Sequence, residues 1–227
     1  MEIITTNNIN KILFFIKYGV NKKKMLLIIQ NGHITPCLTN YLDEDYVIIK
    51  SFDVDVSKID LAKYSIVIIL GGHQSLTKID QYPYLHSVVS LIRFCIKIEK
   101  PIFAICLGAQ LVAYALGCEI RSSQKLNIGY DINILEHNNI FRSHVDYIVP
   151  NEDNKLVVHN IIENMPYLYY YDKFIIGIQC HPDLTPQCVI KYSDHLPSIE
   201  YATKNHQSLD NTNQSIICKI LNILRKK

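Results

Sequence analysis

The chain has 227 residues, of which 48% are hydrophobic, and its formal net charge is +2 with a sequence pI of about 8.1. This length and apolar fraction are typical of one domain with a single large core. The charge is too balanced to indicate nucleic acid or an acidic membrane surface as a partner.

Seven cysteines are scattered along the chain without a Cys-x-x-Cys pair. This odd number and wide spacing argue against a disulfide framework and against a zinc or other metal site, and they favour a reducing compartment. The apolar stretch at residues 12–16 is too short to cross a bilayer, and Lys17 interrupts it. We therefore predict a soluble protein of the cytoplasm with no membrane partner.

The first half of the chain alternates apolar runs with amphipathic segments. Continuous apolar runs at 25–29, 46–49, 65–70 and 101–105 are typical of strands that are buried on both faces. Residues 85–98 and 107–116 have the apolar spacing of helices that bury one side. Strands that alternate with helices predict an α/β fold, with an open, mostly parallel sheet and helices on both faces.

The second half of the chain changes to shorter segments. Strands are predicted at 130–135, 146–149, 156–159, 168–171 and 174–180, and a closing helix at 214–225. The polar, aperiodic residues 189–213 are interpreted as an inserted loop, and residues 1–24 as an extension before the first strand. We therefore predict a single domain over residues 25–227.

A cysteine stands where the predicted strand 101–105 meets the predicted helix 107–116. Cys106 is flanked two positions away by Ala104 and Gly108, and a tight strand-turn-helix junction needs such small residues around an exposed nucleophile. The helix N-terminus behind the turn favours a thiolate and points free N–H groups at an incoming oxyanion. By itself, the pattern is more typical of a small buried cysteine, and only the distant partners favour a nucleophile.

A second group of polar residues follows the apolar run at 174–176. Residues 177–183 read Gly-Ile-Gln-Cys-His-Pro-Asp, which puts an imidazole and a carboxylate two residues apart at a strand end. A cysteine nucleophile needs a base to hold its thiolate and an acid to orient that base. The order Cys106, His181, Asp183 is therefore compatible with a triad assembled at the strand ends of one sheet.

Four motifs, taken in order, resemble those of the class I glutamine amidotransferase domain. They are residues 69–75, the turn around Cys106, residues 143–146 and residues 177–183, and together they span most of the chain. Gly129-Tyr130 is similar to a glycine-aromatic step in the amidotransferase portion of GMP synthases and in its stand-alone relatives. The resemblance implies a flavodoxin-like sheet with a small antiparallel strand addition, and it implies no cofactor.

The same resemblance implies that the chain hydrolyses the side-chain amide of glutamine through a cysteine thioester. Cys106 is the expected nucleophile, His181 the base and proton donor, and Asp183 the acid that orients His181. The backbone N–H groups of Gly72 and Leu107 would form the oxyanion hole. The residues expected to hold the substrate are Gln110, Ser143, His144, Val145 and Asp146.

Departures from the family pattern leave alternatives open. Asp183 stands where the family has glutamate, and Val145 where it has glycine. The sequence has no phosphate-binding loop, so the released ammonia would pass to a separate ATP-dependent synthetase of the GMP synthase kind. One alternative is a γ-glutamyl peptidase or hydrolase, which a wide pocket around residues 143–146 would favour. The other is a catalytically weak regulatory subunit, in which Asp183 would not reach His181.

Overall fold

The computed structural model describes residues 25–33, 37–151, 153 and 155–226, and the extension predicted at 1–24 lies outside them. The strands, numbered in chain order, are β1 Met25–Gln30, β2 Tyr46–Lys50, β3 Tyr64–Ile69, β4 Ile102–Ile105, β5 Glu119–Ile134, β6 His137–Val149, β7 Leu156–Ile162, β8 Met165–Tyr171 and β9 Ile175–Ile178. The α-helices are α1 Tyr84–Lys97, α2 Leu107–Ala115, α3 Pro186–Tyr192, α4 Leu196–Lys204 and α5 His206–Arg225.

The central sheet has seven strands in the order β2-β1-β3-β4-β9-β8-β7. Strands β2, β1, β3, β4 and β9 run parallel, and β8 and β7 continue the sheet antiparallel. Successive side chains of a strand point to opposite faces, so Leu27 and Ile29 pack with α1 and α2, whereas Leu26 and Ile28 pack with α5. Both faces are therefore covered, which confirms the predicted open, mostly parallel α/β sheet.

The small antiparallel addition is a long two-stranded ribbon formed by β5 and β6. It is longer than the two short strands predicted from the sequence, because many of its positions are polar and carry no clear period-two signal. The ribbon crosses the carboxyl ends of the central strands, and the backbone N–H of His181 donates to the carbonyl of Phe141 in β6 at 2.7 Å. This contact brings residues 143–146 of β6 beside the end of β9.

Residues 189–213 form mostly helix, so the predicted aperiodic loop is wrong, whereas the prediction that this stretch is inserted stays a prediction. Thr185 caps α3 by accepting a hydrogen bond from the backbone N–H of Cys188, and α5 begins at His206 instead of residue 214. Three side chains anchor this region against Phe141: Val189, Ala202 and Leu209. Within residues 189–213 each helix contributes one such apolar anchor, which is too few to give a helical period in that stretch of the sequence. None of the described helices is both long and apolar enough to cross a membrane.

Cys37 and Cys188 form a disulfide, and this corrects the prediction that the chain has no disulfide link. The two residues are 151 positions apart in the sequence. Cys37 opens a short 3₁₀ helix after β1, and Cys188 lies in α3. Because the pair is created by the packing of α3 on the end of the sheet, no local cysteine spacing indicates it.

Candidate active site

Cys106 occupies the turn between β4 and α2, as the sequence predicts. Its backbone has φ 51° and ψ −112°, a conformation that non-glycine residues adopt rarely. The turn needs a glycine at 108, because a Cβ built there would lie 2.1 Å from the carbonyl oxygen of Ile69. Close packing of α2 against β3 thus accompanies the strained backbone of Cys106, which follows the carboxyl end of β4.

His181 and Asp183 reach Cys106 because β9 is the neighbour of β4. The two strands are parallel and in register, with Ile105 opposite Ile178, so their carboxyl ends meet at one edge. The backbone N–H of Cys106 donates to the carbonyl of Ile178 at 2.8 Å, which ties the two ends together. The structure thus brings together the three residues predicted as a triad.

The Asp183 carboxylate reaches the imidazole of His181, although aspartate is shorter than the glutamate that the resemblance predicts here. Nδ1 of His181 lies 3.0 Å from Oδ1 of Asp183, and both side chains are about 10% exposed. Burial works against the charged imidazolium, but the negative charges of Cys106 and Asp183 outweigh it and raise the pKa of His181 well above its usual value. Because a carboxylate only accepts hydrogen bonds, Nδ1–H of His181 donates to it. The geometry that would favour a purely regulatory role, with the acid out of reach of the histidine, is not the one observed.

The glycine turn after β3, Gly71-Gly72, packs closely against Cys106 and His181. A Cβ built on Gly71 would lie 3.1 Å from Cε1 of His181 and 3.4 Å from Cβ of Cys106. A Cβ on Gly72 would lie 3.0 Å from Cδ2 of Leu107, so the two predicted oxyanion-hole residues are neighbours. Leu107 is the first residue of α2, and the first N–H groups of a helix have no partner inside it.

The residues predicted to bind the substrate fall into two groups. The carbonyl oxygen of Ser143 lies 4.0 Å from the sulfur of Cys106, and Ser143 lines the adjoining cavity. Val145 is exposed on the ribbon. In contrast, Gln110, His144 and Asp146 are buried and hydrogen-bonded within the protein: Nε2 of Gln110 donates to the Asp146 carbonyl at 2.8 Å, and the Asp146 carboxylate accepts from Ser75 Oγ at 2.6 Å.

Gln179 is a polar residue of the site that the sequence reasoning missed. It is 1% exposed, and its side-chain Nε2 lies 3.5 Å from the sulfur of Cys106. It stands two residues before His181, within the same motif that identified the triad. The position of Gln179 within the 177–183 motif was the available signal. Its contact with Cys106, however, depends on the pairing of β9 with β4.

A cavity of about 550 Å³ adjoins these residues. Gly72, Ser143, His181 and Asp183 line it. Its lining also includes groups outside the triad: His33, Leu126, Tyr192, His195 and the Cys37–Cys188 pair. The cavity therefore extends from His181 and Asp183 to α3 and to the middle of strand β5.

Comparison with known proteins gives one consistent family. A family model described as glutamine amidotransferase class-I matches residues 27–188. A glutamine amidotransferase-like protein of Acanthamoeba polyphaga mimivirus is 58% identical over 201 residues, which cover 88% of this chain and 97% of that protein. One of the subunits of the glutamine-hydrolysing GMP synthase of Methanothermobacter thermautotrophicus is 31% identical over 130 residues, which cover 52% of this chain and 64% of that relative.

Two solved structures have the same fold. A glutamine amidotransferase from Thermotoga maritima superposes with a TM-score of 0.70 at 20% identity, covering 87% of this chain and 98% of that one. One from Methylobacillus flagellatus gives a TM-score of 0.74 at 18% identity, covering 88% of this chain and 95% of that one. At these identities the likeness shows the fold alone.

Proposed function

Because this chain belongs to the class I glutamine amidotransferase family, we propose that it hydrolyses the side-chain amide of glutamine to glutamate and ammonia. The observation that carries the proposal is the contact between His181 and Asp183 beside the strained turn of Cys106. Such an arrangement supplies what a poor electrophile such as a carboxamide requires: a thiolate, a proton donor and an oriented imidazole.

The proposed reaction proceeds in two steps, formation of a thioester on Cys106 and its hydrolysis. The Cys106 thiolate attacks the amide carbon, and the negative charge that develops on oxygen is stabilised by the N–H groups of Gly72 and Leu107. The C–N bond breaks as the His181 imidazolium gives its proton to the leaving ammonia, which leaves a thioester on Cys106. Water then attacks this thioester, with the now neutral His181 taking its proton, and glutamate and the thiolate are released.

We propose that the α-amino and α-carboxylate groups of the substrate bind at the part of the cavity wall that Ser143 forms. Gln110, His144 and Asp146 have their hydrogen-bonding groups directed into the protein, so their proposed role is to hold that wall in place. Val145 is exposed on the ribbon, and its proposed effect is confined to the surface around that wall.

The ammonia acceptor is proposed to be a separate ATP-dependent synthetase. The support is the relative that is named as one of the subunits of a glutamine-hydrolysing GMP synthase. Such an arrangement couples two sites, and a partner that closes the cavity would raise the hydrolysis rate only when ammonia can be used.

A second candidate is a γ-glutamyl peptidase or hydrolase, and the size of the cavity favours it. A volume of about 550 Å³ lies within the range of roughly 300–1,000 Å³ that is typical of sites for drug-sized ligands. A γ-glutamyl amide with a large amine would fill the space between the triad and Tyr192, which glutamine itself would leave empty.

The test is to incubate the purified chain with glutamine and, separately, with a panel of γ-glutamyl amides of increasing size. Release of glutamate from glutamine with equal release of ammonia supports the first function. Fast cleavage of larger γ-glutamyl amides, with little action on glutamine, moves the assignment to the hydrolase. The absence of glutamate release from every substrate, with and without a GMP synthase-type partner, contradicts both.

A further inference from the structure

A buried carboxamide contacts the nucleophile in addition to the histidine. Gln179 follows the end of β9, and its backbone N–H donates to the carbonyl of Tyr167 at 3.0 Å, which fixes the main chain. Its side-chain nitrogen lies 3.5 Å from the sulfur of Cys106. A carboxamide carries both a donor and an acceptor, so its effect on the sulfur depends on which end is turned toward it.

The neighbouring residues fix that orientation. The backbone carbonyl of Asp146 can only accept hydrogen bonds, so the Gln110 amide must turn its nitrogen toward it, at 2.8 Å. The same nitrogen donates to Oε1 of Gln179 at 3.2 Å. With its oxygen held by Gln110, the Gln179 amide presents its N–H groups to the sulfur.

The donors and acceptors on the other side of the Asp146 carbonyl, from Arg142 through Tyr167 to His144, are fixed in the same way. The Arg142 guanidinium can only donate, and it donates to the Tyr167 hydroxyl at 3.0 Å. Tyr167 therefore gives its own proton to Nε2 of His144, 2.7 Å away, and His144 donates from Nδ1 to the Asp146 carbonyl at 3.0 Å. Burial lowers the pKa of His144 to about 4, which agrees with a neutral ring that accepts on one nitrogen and donates from the other.

We propose that Gln179 is a further catalytic residue, which stabilises the Cys106 thiolate by donating a side-chain hydrogen bond to it. Gln110 and the Asp146 carbonyl act as positioning groups, because they keep the acceptor end of Gln179 turned away from the sulfur. The role of Gln179 in turnover rests on the proposed function. Its effect on the sulfur does not, because it can be measured without any substrate.

The physical consequence is a change in the pH at which the sulfur becomes reactive. A donor to the charged form favours thiolate over thiol. The same bond also makes the thiolate less nucleophilic, because nucleophilicity falls with basicity. Removing Gln179 should therefore lower the alkylation rate of Cys106 at low pH and leave that rate equal or higher at high pH. A general loss of structure would not make the two pH–rate profiles cross.

Other titratable groups act on the same sulfur and must stay unchanged in the test. Among the described residues His181 and Cys180 interact with Cys106 directly, and Asp183 and His144 interact with His181. None of them donates to or accepts from the Gln179 side chain in the bonds described above, so substitutions at Gln179 leave each one in place.

The experiment measures the rate at which iodoacetamide alkylates Cys106 as a function of pH, by mass spectrometry of the peptide that contains it. The variant Gln179→Met removes the donor while keeping a similar volume, and Gln179→Glu keeps the shape but replaces the donor by a carboxylate. Cys218, which is partly exposed on α5, is the reference thiol within each sample. Asn213→Leu is the control for loss of a buried amide, since the Asn213 side chain donates to the Leu184 carbonyl instead.

We expect the pH midpoint for Cys106 to rise by about one unit in Gln179→Met, the size expected for a hydrogen bond to a charged group. It should rise further in Gln179→Glu, while Cys218 and the Asn213→Leu control do not change. Unchanged midpoints in both Gln179 variants, or an equal rise in Asn213→Leu, would overturn the proposal. A chain that hydrolyses no amide but shows the shift would contradict the proposed function and leave this inference standing.

Discussion

Asp183 and His181 lie two residues apart in the sequence and share a hydrogen bond of 3.0 Å between Oδ1 and Nδ1. The resemblance predicts a glutamate at this position, yet the aspartate spans the gap. The turn that follows β9 brings the carboxylate back onto the imidazole, because the His181 backbone is held by the Phe141 carbonyl. The shorter acid is therefore compatible with an oriented base.

The first prediction follows from this contact. His181→Ala should reduce the rate of amide hydrolysis by about 10²–10⁴-fold, the usual contribution of a general acid or base. Asp183→Ala should cost less, because it removes only orientation, and Asp183→Glu should keep most of the activity. Steady-state rates of glutamate release from the three variants decide this. Equal losses in the two alanine variants would show that the acid does more than orient, and no loss in Asp183→Ala would remove it from the mechanism.

The second prediction concerns the nucleophile. Cys106→Ala should abolish amide hydrolysis and keep the fold, and a glutamine-analogue electrophile should label Cys106 alone. Burial raises the pKa of Cys95 to about 12 and that of Cys118 to about 11, so these thiols are protonated at neutral pH. Peptide mapping after labelling checks the site, with circular dichroism of Cys106→Ala as the control for folding. Labelling of a different cysteine while Cys106 stays unmodified would refute the mechanism.

The third prediction is a loss of stability in acid caused by His144. Burial lowers its pKa from 6.5 to about 4, so the unfolded chain binds a proton over this interval and the folded chain does not. The free energy of unfolding should therefore fall by up to about 3 kcal/mol as the pH falls from 6.5 to 4. His181 has a raised pKa, and its contribution is fully present below 6.5 and is lost only at higher pH.

The measurement is urea unfolding at several pH values in the native chain and in His144→Gln. Glutamine can donate to the Asp146 carbonyl and accept from Tyr167, but it does not titrate. The variant should lose less stability between pH 6.5 and 4 than the native chain. Identical slopes in the two proteins would mean that His144 does not cause the acid sensitivity.

The parts of this molecule that were predictable from the sequence are those set by local patterns. The runs that became β1, β3 and β4 are apolar because both of their faces are buried, and the small residues on either side of Cys106 are visible in the sequence itself. The His-Pro-Asp segment was recognisable because it directly follows a strand. In each case the residues that carry the signal are adjacent in the chain.

The parts that were missed depend on distant contacts. Helix α4 buries Ala202 and exposes Leu196, so its sequence reads as polar and aperiodic. The orientation of Gln179 is set by a carbonyl of β6, which the ribbon brings across the sheet. The disulfide joins residues 151 positions apart. Neither propensity nor periodicity contains this information, because it arises from the pairing of elements.

The fourth prediction tests the packing that forms the cysteine turn. In Gly108→Ala the new Cβ would lie 2.1 Å from the Ile69 carbonyl oxygen and 2.7 Å from its carbon, and neither backbone atom can move without shifting β3. We expect the free energy of unfolding to fall by about 1–3 kcal/mol or more, with a loss of amide hydrolysis as the turn is displaced. Chemical denaturation measures the first effect. A variant as stable as the native chain would show that α2 can move away from β3 at little cost.

The fifth prediction concerns the link between Cys37 and Cys188. Under denaturing conditions without reductant, a thiol reagent should count the five free cysteines, at 95, 106, 118, 180 and 218. After a dithiol reductant it should count all seven. Because the bond closes a loop of 151 residues, its reduction should lower the free energy of unfolding by about 2–4 kcal/mol. Cys37→Ser is the matched control: it lacks the bond, so the reductant should not change its unfolding midpoint. Seven reactive thiols in the protein before reduction would contradict the link between the β1 side of the cavity and α3.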